Sequence, residues 1–376
     1  MMKKNIGIIV GLVAAVAVIY FTAPKYTKEA FKHWFANIDD YKLFYNDTLS
    51  VDTTSVIPSA IHIPSDQESL AFLDNSKTVA YLVIQNDSII FERYYDEHNP
   101  NTLSGSFSMA KSVVSLAIGK AIAQGHIKGV TQKVKDFFPE WSTSYKGYDM
   151  TIEDLLTMSA GIHWREMYVN PYNITTSAYY GDNLYDLCNK MEMETQPSTR
   201  WEYQSICTQM LGMILTKSTG MSVADYVDEM IWKPMEMQSY ALWSRDKKGG
   251  YNKAFCCLNA TARDFGKLGL LVLHDGKYHN KPLIDSAYIY QATHPASALT
   301  YKGKRLSHYG YQFWILNSDG MQIPYFCGIL GQFIFVIPEK NAVIVRLGKG
   351  IGISVDTYGH YKDAYRYVDI GMKMLK

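Results

Sequence analysis

Apolar positions fall into three regimes along the chain. The first is one uncharged run, "IGIIVGLVAAVAVIYFTA" from Ile6 to Ala23, with Lys3 and Lys4 just ahead of it. Such a run reaches about the minimum length for a membrane-spanning helix, near 18 residues. The flanking lysines favour a cytoplasmic start with the bulk of the chain outside. A cleaved signal peptide is the alternative, but "YFTAPKYT" is a poor small-residue cleavage site. Residues 1–24 are therefore read as an uncleaved anchor. Residues 25–66 follow as a polar-aromatic lead-in or linker without a strong period, and residues 67–376 as the main domain.

The second regime is strand-like and occurs at both ends of that domain. "TVAYLVIQNDSIIFERYY", Thr78 to Tyr95, gives two β-rich runs around the turn pair Asn86-Asp87. Strand patterns return in Tyr309 to Leu316 and in Gly331 to Gly348, the latter turning at Pro338 to Asn341. The third regime is helical and fills roughly 130 to 300, where periodic segments start or stop at Gly, Ser or Thr. A last helix is expected over Tyr358 to Leu375. The pattern predicts an α/β (α+β) fold. One antiparallel sheet is built from both chain ends, flanked by helices, with a mainly helical region inserted. A cleft belongs where the sheet meets that region.

Composition narrows the picture only a little. The 376 residues are 47% hydrophobic, ample for a large core, and the net charge of +1 carries no footprint of nucleic-acid binding. Five cysteines (Cys188, Cys207, Cys256, Cys257 and Cys327) have no metal-ligand spacing and read as buried thiols rather than a disulfide framework. His163 and Glu166 have no second ligand at useful spacing, so the histidine is read as a local hydrogen-bonding residue. No metal or organic cofactor is implied.

The candidate chemistry lies in "SGSFSMAKSVVSLAIGKAIAQGHIKG", which starts at Ser104. Ser108 and Lys111 stand three apart and share a helix face, with Ser108 in the first turn and Gly125 as the cap at the far end. The helix beyond is apolar on nearly every side, hence buried. Burial disfavours an ammonium group, so Lys111 should lose its proton easily and act as a base toward the Ser108 hydroxyl. A second Ser-x-x-Lys, Ser244 to Lys247, sits in a stretch that composition reads as a solvated loop.

From Ser108-Met109-Ala110-Lys111 onward the chain resembles the serine β-lactamase and penicillin-binding-protein family, particularly its class C-like branch of esterases and amide hydrolases. The likeness continues through "TIEDLLTMSAGIHW" (Thr151 to Trp164), Pro197 to Met237, Asn259 to Tyr278 and Gly328 to Val345, in family order over about residues 70–376. It implies that Tyr203 is the motif tyrosine that shuttles protons. Ser205 stands where many relatives have asparagine, with a substrate-binding role. Cys327-Gly328-Ile329, followed by Leu330-Gly331-Gln332, takes the third motif's place. There Cys327 supplies no cation, Gly328, Gly331 and Gln332 would contact substrate, and the N–H groups of Ser108 and Ile329 would form the oxyanion hole. The expected function is a membrane-anchored, extracytoplasmic serine hydrolase acting through an acyl-enzyme on a small or peptide-like ester or amide. The rivals are a DD-peptidase or β-lactamase and a non-catalytic sensor domain. A Gly-x-Ser-x-Gly elbow is absent, which weighs against an α/β-hydrolase.

Overall fold

The strand Thr78–Gln85 is apolar from Val79 to Ile84, and every residue of it is buried, as a strand covered on both faces requires. In the structure, a computed structural model describing residues 21–33, 35–60, 66–141, 149–300 and 302–376, this strand lies in a six-stranded antiparallel sheet. The order is Ser88–Tyr94, Thr78–Gln85, Ala342–Gly348, Gln332–Ile337, Met321–Gly328, Trp314–Ser318. The early hairpin thus docks on the late strands, with Leu82 opposite Val345 and Val83 opposite Ile344. Asn86 and Asp87 turn the hairpin with φ of 49° and 58°, left-handed values that suit the twist of the flanking strands.

Alternate residues feed two cores. Leu82, Ile84, Val343 and Val345 face the large core shared with the helical region, while Tyr81, Val83 and Ile344 face a smaller one under the helix Lys362–Met372. The helix Ala262–Leu273 covers the first face. It can lie close because Gly269 has no side chain: a Cβ there would sit 2.5 Å from Val343 Cγ1. The helical region holds Met109–Ala123, buried almost all round, against Ser205–Thr219, which stops at left-handed Gly220.

Several expectations need correction. The lead-in is not a linker. Its strand Tyr45–Leu49 pairs with Ala241–Arg245 in a second sheet that also holds Leu258–Ala260 and Ser104–Gly105. Its helix Lys25–His33 packs on Ile174–Tyr180. Ser244 is no loop residue either. It is fully buried on that second sheet and donates to Asn46 Oδ1 at 2.8 Å, a polar pair that composition reads as solvated. Two of the five cysteines are not thiols, since Cys256 and Cys257 form a disulfide between neighbours, while Cys188, Cys207 and Cys327 are free. But for its last four residues, the expected anchor, residues 1–24, lies outside the described residues. Among these, no helix is long and apolar enough to cross a membrane.

One buried charge ties the sheet to the turn after Gly328. Arg346 is wholly enclosed and has no carboxylate partner among the described residues. Its guanidinium donates instead to the carbonyls of Leu330, Gly331, Ser76 and Gly350 at 2.6 to 3.0 Å and lies over the Tyr367 ring. Burial pulls it down to about 10, so it remains charged at neutral pH. Arg346→Met should therefore cost about 3 kcal/mol or more, because several buried carbonyls lose their donors together. Urea denaturation checks this, and a midpoint within error of the parent would show the fork to be dispensable.

Candidate active site

The helix Met109–Ala123 begins just after Ser108, which lies partly exposed at its N-terminal end. Lys111 is one turn along and fully buried. Its Nζ donates to Ser108 Oγ at 2.9 Å and to the Phe255 carbonyl at 2.8 Å. The rings of Tyr203 and Phe255 close over the ammonium at 5.2 and 5.6 Å. Dehydration dominates: burial lowers Lys111 to about 8, opposed by the negative charge of Glu166. A substantial neutral fraction therefore exists near neutral pH, the condition for a base.

The carbonyl that receives Lys111 is fixed by its neighbours. Trp243 Nε1 donates to the carbonyls of Lys253 and Cys256 at 3.1 Å each. Gln209, on the helix Ser205–Thr219, donates to the Asn252 carbonyl and accepts the Ala254 N–H. The Cys256–Cys257 disulfide follows directly, with Cys257 at φ 70°. The loop holding Lys111 and the helix carrying the tyrosine motif are thus one hydrogen-bonded unit.

Tyr203 leads into that helix, packs against Tyr309 and Trp314, and lines the same cleft as Ser108. Burial first, then the charge of Glu166, raises its phenol well above the ordinary range. Tyr203 is therefore a neutral proton donor, not a phenolate. The cysteine at the third motif is equally quiescent: burial pushes the Cys327 thiol up to about 12, so no thiolate competes with Ser108.

Ser108, Lys111 and Tyr203 come together as the sequence led us to expect. Gly328 and Ile329 line the cleft beside them. A side chain at Gly328 would meet the Ser106 carbonyl at 2.4 Å, so glycine lets the strand end approach the serine segment. Among the described residues, no backbone or side-chain acceptor receives the N–H of Ser108 or of Ile329. Gly331 and Gln332 differ from expectation. Gly331 packs against Arg346 in a left-handed turn. Gln332 is buried, donates to the Gly348 carbonyl at 2.6 Å and to that of Ile329 at 3.3 Å, and accepts the Gly348 N–H. Both shape the turn behind Ile329 instead of facing the cleft.

The sequence reading weighed Glu166 only as a metal or acid–base partner of His163 and missed what it does here. Its carboxylate accepts the Ser205 N–H at 2.9 Å, the Ser205 hydroxyl at 2.6 Å, the Trp164 indole N–H at 2.5 Å and the Tyr168 hydroxyl at 2.8 Å. An anion so placed occupies the positive end of the Ser205–Thr219 helix. Both polar atoms of Ser205 are thereby committed to Glu166, which leaves that residue little to offer a substrate. The histidine beside it, His163, points outward to Glu194.

A protein-family model described as Beta-lactamase matches residues 71–352. The chain is similar to the 6-aminohexanoate-dimer hydrolase of Paenarthrobacter ureafaciens, 24% identical over 293 residues and 73% of each chain. Among solved structures it is similar to a Bacillus anthracis protein assigned to the 6-aminohexanoate-dimer hydrolases, with a TM-score of 0.79 and 22% identity over 92% of this chain and 95% of that one. It is also similar to the octameric penicillin-binding protein homologue of Pyrococcus abyssi, with a TM-score of 0.62 and 18% identity over 81% of this chain and 75% of that one.

Because Glu166 holds the Lys111 ammonium up against the pull of burial, Glu166→Gln should lower the lysine further. Resonances of isotopically labelled lysine, followed across pH, should show Lys111 titrating near 8 in the parent and lower in the variant. An unchanged or raised titration point would mean that the carboxylate does not act on the lysine.

Proposed function

The chain belongs to the β-lactamase family of serine hydrolases, and on that premise we propose that Ser108 is its nucleophile toward ester or amide carbonyls. The observation that carries this reading is the 2.9 Å contact between Lys111 Nζ and Ser108 Oγ inside a dehydrated pocket. Neutral Lys111 accepts the serine proton as Ser108 attacks. The N–H groups of Ser108 and Ile329 receive the charge that develops on the carbonyl oxygen. Tyr203 gives its proton to the leaving atom and recovers one from the Lys111 ammonium. Water then releases the acyl group from Ser108. Each group ends as it began, and the chemistry needs no bound cofactor.

The proposal extends to place. The apolar run Ile6 to Ala23 is a membrane anchor that leaves the catalytic domain on the extracytoplasmic side. The Cys256–Cys257 disulfide supports this, since such bonds persist in oxidising compartments and are rare in the cytosol. A chain starting at Lys25 should then be soluble, whereas the full chain should need detergent. Partition of the two forms between membrane and supernatant decides it, and recovery of both in the supernatant would remove the anchor.

A fluorophosphonate should label Ser108, and Ser108→Ala should abolish labelling while the melting transition persists. Lys111→Met, similar in volume, should fold yet lower kcat by about 10²-fold or more through loss of the base. In the parent, kcat/KM should fall below pH 8 as Lys111 takes up its proton. Turnover of Lys111→Met at near parental rate would make the lysine structural.

Cys327 supplies no cation for a β-lactam carboxylate, a contact worth about 1.5–3 kcal/mol when charged. Nitrophenyl esters should accordingly exceed nitrocefin in kcat/KM by about one to two orders of magnitude. Nitrocefin hydrolysis at or above the ester rate would favour the β-lactamase reading.

A further inference from the structure

Two cavities of opposite character meet at the nucleophile. One is apolar, about 240 Å³, with Ala30, Phe31, Phe35, Tyr179, Tyr180 and Phe255 among its walls. The other is a polar cleft of about 1120 Å³, whose walls include Arg165, Glu202, Tyr203, His308 and Thr357. Ser108, Tyr168 and Ile329 line both, so a carbonyl on Ser108 with its oxygen toward Ile329 must send one substituent into each.

The proton donor decides which substituent goes where. The leaving atom has to reach Tyr203, and Tyr203 lines the polar cleft but not the apolar cavity. The acyl side is therefore left with the apolar cavity. No charged side chain among the described residues lines that cavity. Most of its hydroxyls are occupied: Thr175 Oγ1 donates to the Arg165 carbonyl and accepts the Met167 N–H, Thr176 Oγ1 donates to the Asn170 carbonyl, and Ser205 is held by Glu166, while the Tyr180 hydroxyl is buried and unpaired among the described residues but uncharged. A charged group at the far end of the acyl chain would be stranded there.

Size sets the length. An apolar protein cavity of about 150 Å³ takes benzene, with its six carbons, so one of about 240 Å³ has room for a chain of six or somewhat more. We infer that the apolar cavity is the acyl subsite, and that the substrate is an ester or amide of an uncharged aliphatic acid of about six to eight carbons with a polar leaving group. This inference rests on Ser108 as nucleophile and Tyr203 as donor.

The experiment uses the full chain in a bile-salt detergent, which lacks an alkyl tail to compete, with p-nitrophenyl esters from acetate to dodecanoate. In the parent, kcat/KM should rise about two- to fourfold per methylene to hexanoate or octanoate and then fall. The 6-aminohexanoate ester should react at least tenfold more slowly than the hexanoate. Ala30→Phe, which fills the cavity from the helix Lys25–His33, should cut the octanoate-to-acetate ratio at least tenfold. Should that variant fail to fold, Phe31→Ala opens the wall at an exposed position and should lower the same ratio several-fold.

A profile that is flat or falls from acetate onward, or a preference for the charged acyl ester, would overturn the acyl subsite. Parallel fluorophosphonate labelling separates the two levels. Labelled Ser108 with no dependence on chain length defeats only this inference, whereas absence of both labelling and ester turnover defeats the nucleophile assignment beneath it.

Discussion

A lysine ammonium removed from water has to be held by other atoms, and much of this structure serves that requirement for Lys111. Moving an isolated cation into a dry interior is prohibitive unless donors find acceptors or the proton leaves. Here the compromise is partial. Two acceptors, Ser108 Oγ and the Phe255 carbonyl, face the ammonium, and two rings cover it. Glu166 contributes charge at a distance instead of a direct bond. A closer carboxylate would lock the proton on, and none at all would let it go too readily. The same anion acts in the same direction on Tyr203, where it helps keep the phenol protonated. One carboxylate thus holds the lysine poised near neutrality and keeps the tyrosine neutral.

That arrangement requires rigidity from segments far apart in sequence. The loop presenting the Phe255 carbonyl is gripped by Trp243 and Gln209, and the turn presenting Ile329 by Arg346 and Gln332. The two grips differ in chemistry. Neutral donors fix the first, while the second depends on a guanidinium that shares its charge among four carbonyls. Two of them, those of Gly331 and Gly350, are buried, where a lost donor costs most. The large sheet provides the frame for the second grip, since Arg346 projects from a strand at its centre.

Local signals made part of this legible. The Ser108–Lys111 spacing, the Asn86-Asp87 hairpin and the helix stop at Gly220 all follow from periodicity and turn chemistry within a few residues. The joining of early and late strands also followed, because both runs are too continuously apolar to face water. What stayed hidden depends on long-range pairing. Glu166 is 39 positions from Ser205, and the sequence offered it only as a partner of His163. Arg346 left a trace, a lone charge inside a strand whose neighbours are all apolar, but nothing local named its carbonyl acceptors. Ser244 was misread because its partner Asn46 lies 198 positions away in the chain. Neighbouring cysteines carry no spacing rule at all, so the Cys256–Cys257 bond had no signature to read.

The helix Lys25–His33 lies upstream of residues 71–352, the stretch that matches the family model, yet Ala30 and Phe31 form part of the cavity next to Ser108. The Ser108, Lys111 and Tyr203 cluster and that wall are therefore encoded in separable pieces of the chain. An insertion, exchange or point change before residue 40 can remodel the space beside Ser108 without disturbing Lys111, Tyr203 or the turn at Ile329. Selectivity and reactivity can then diversify independently, a modular arrangement in which an appendage tunes what a constant engine consumes.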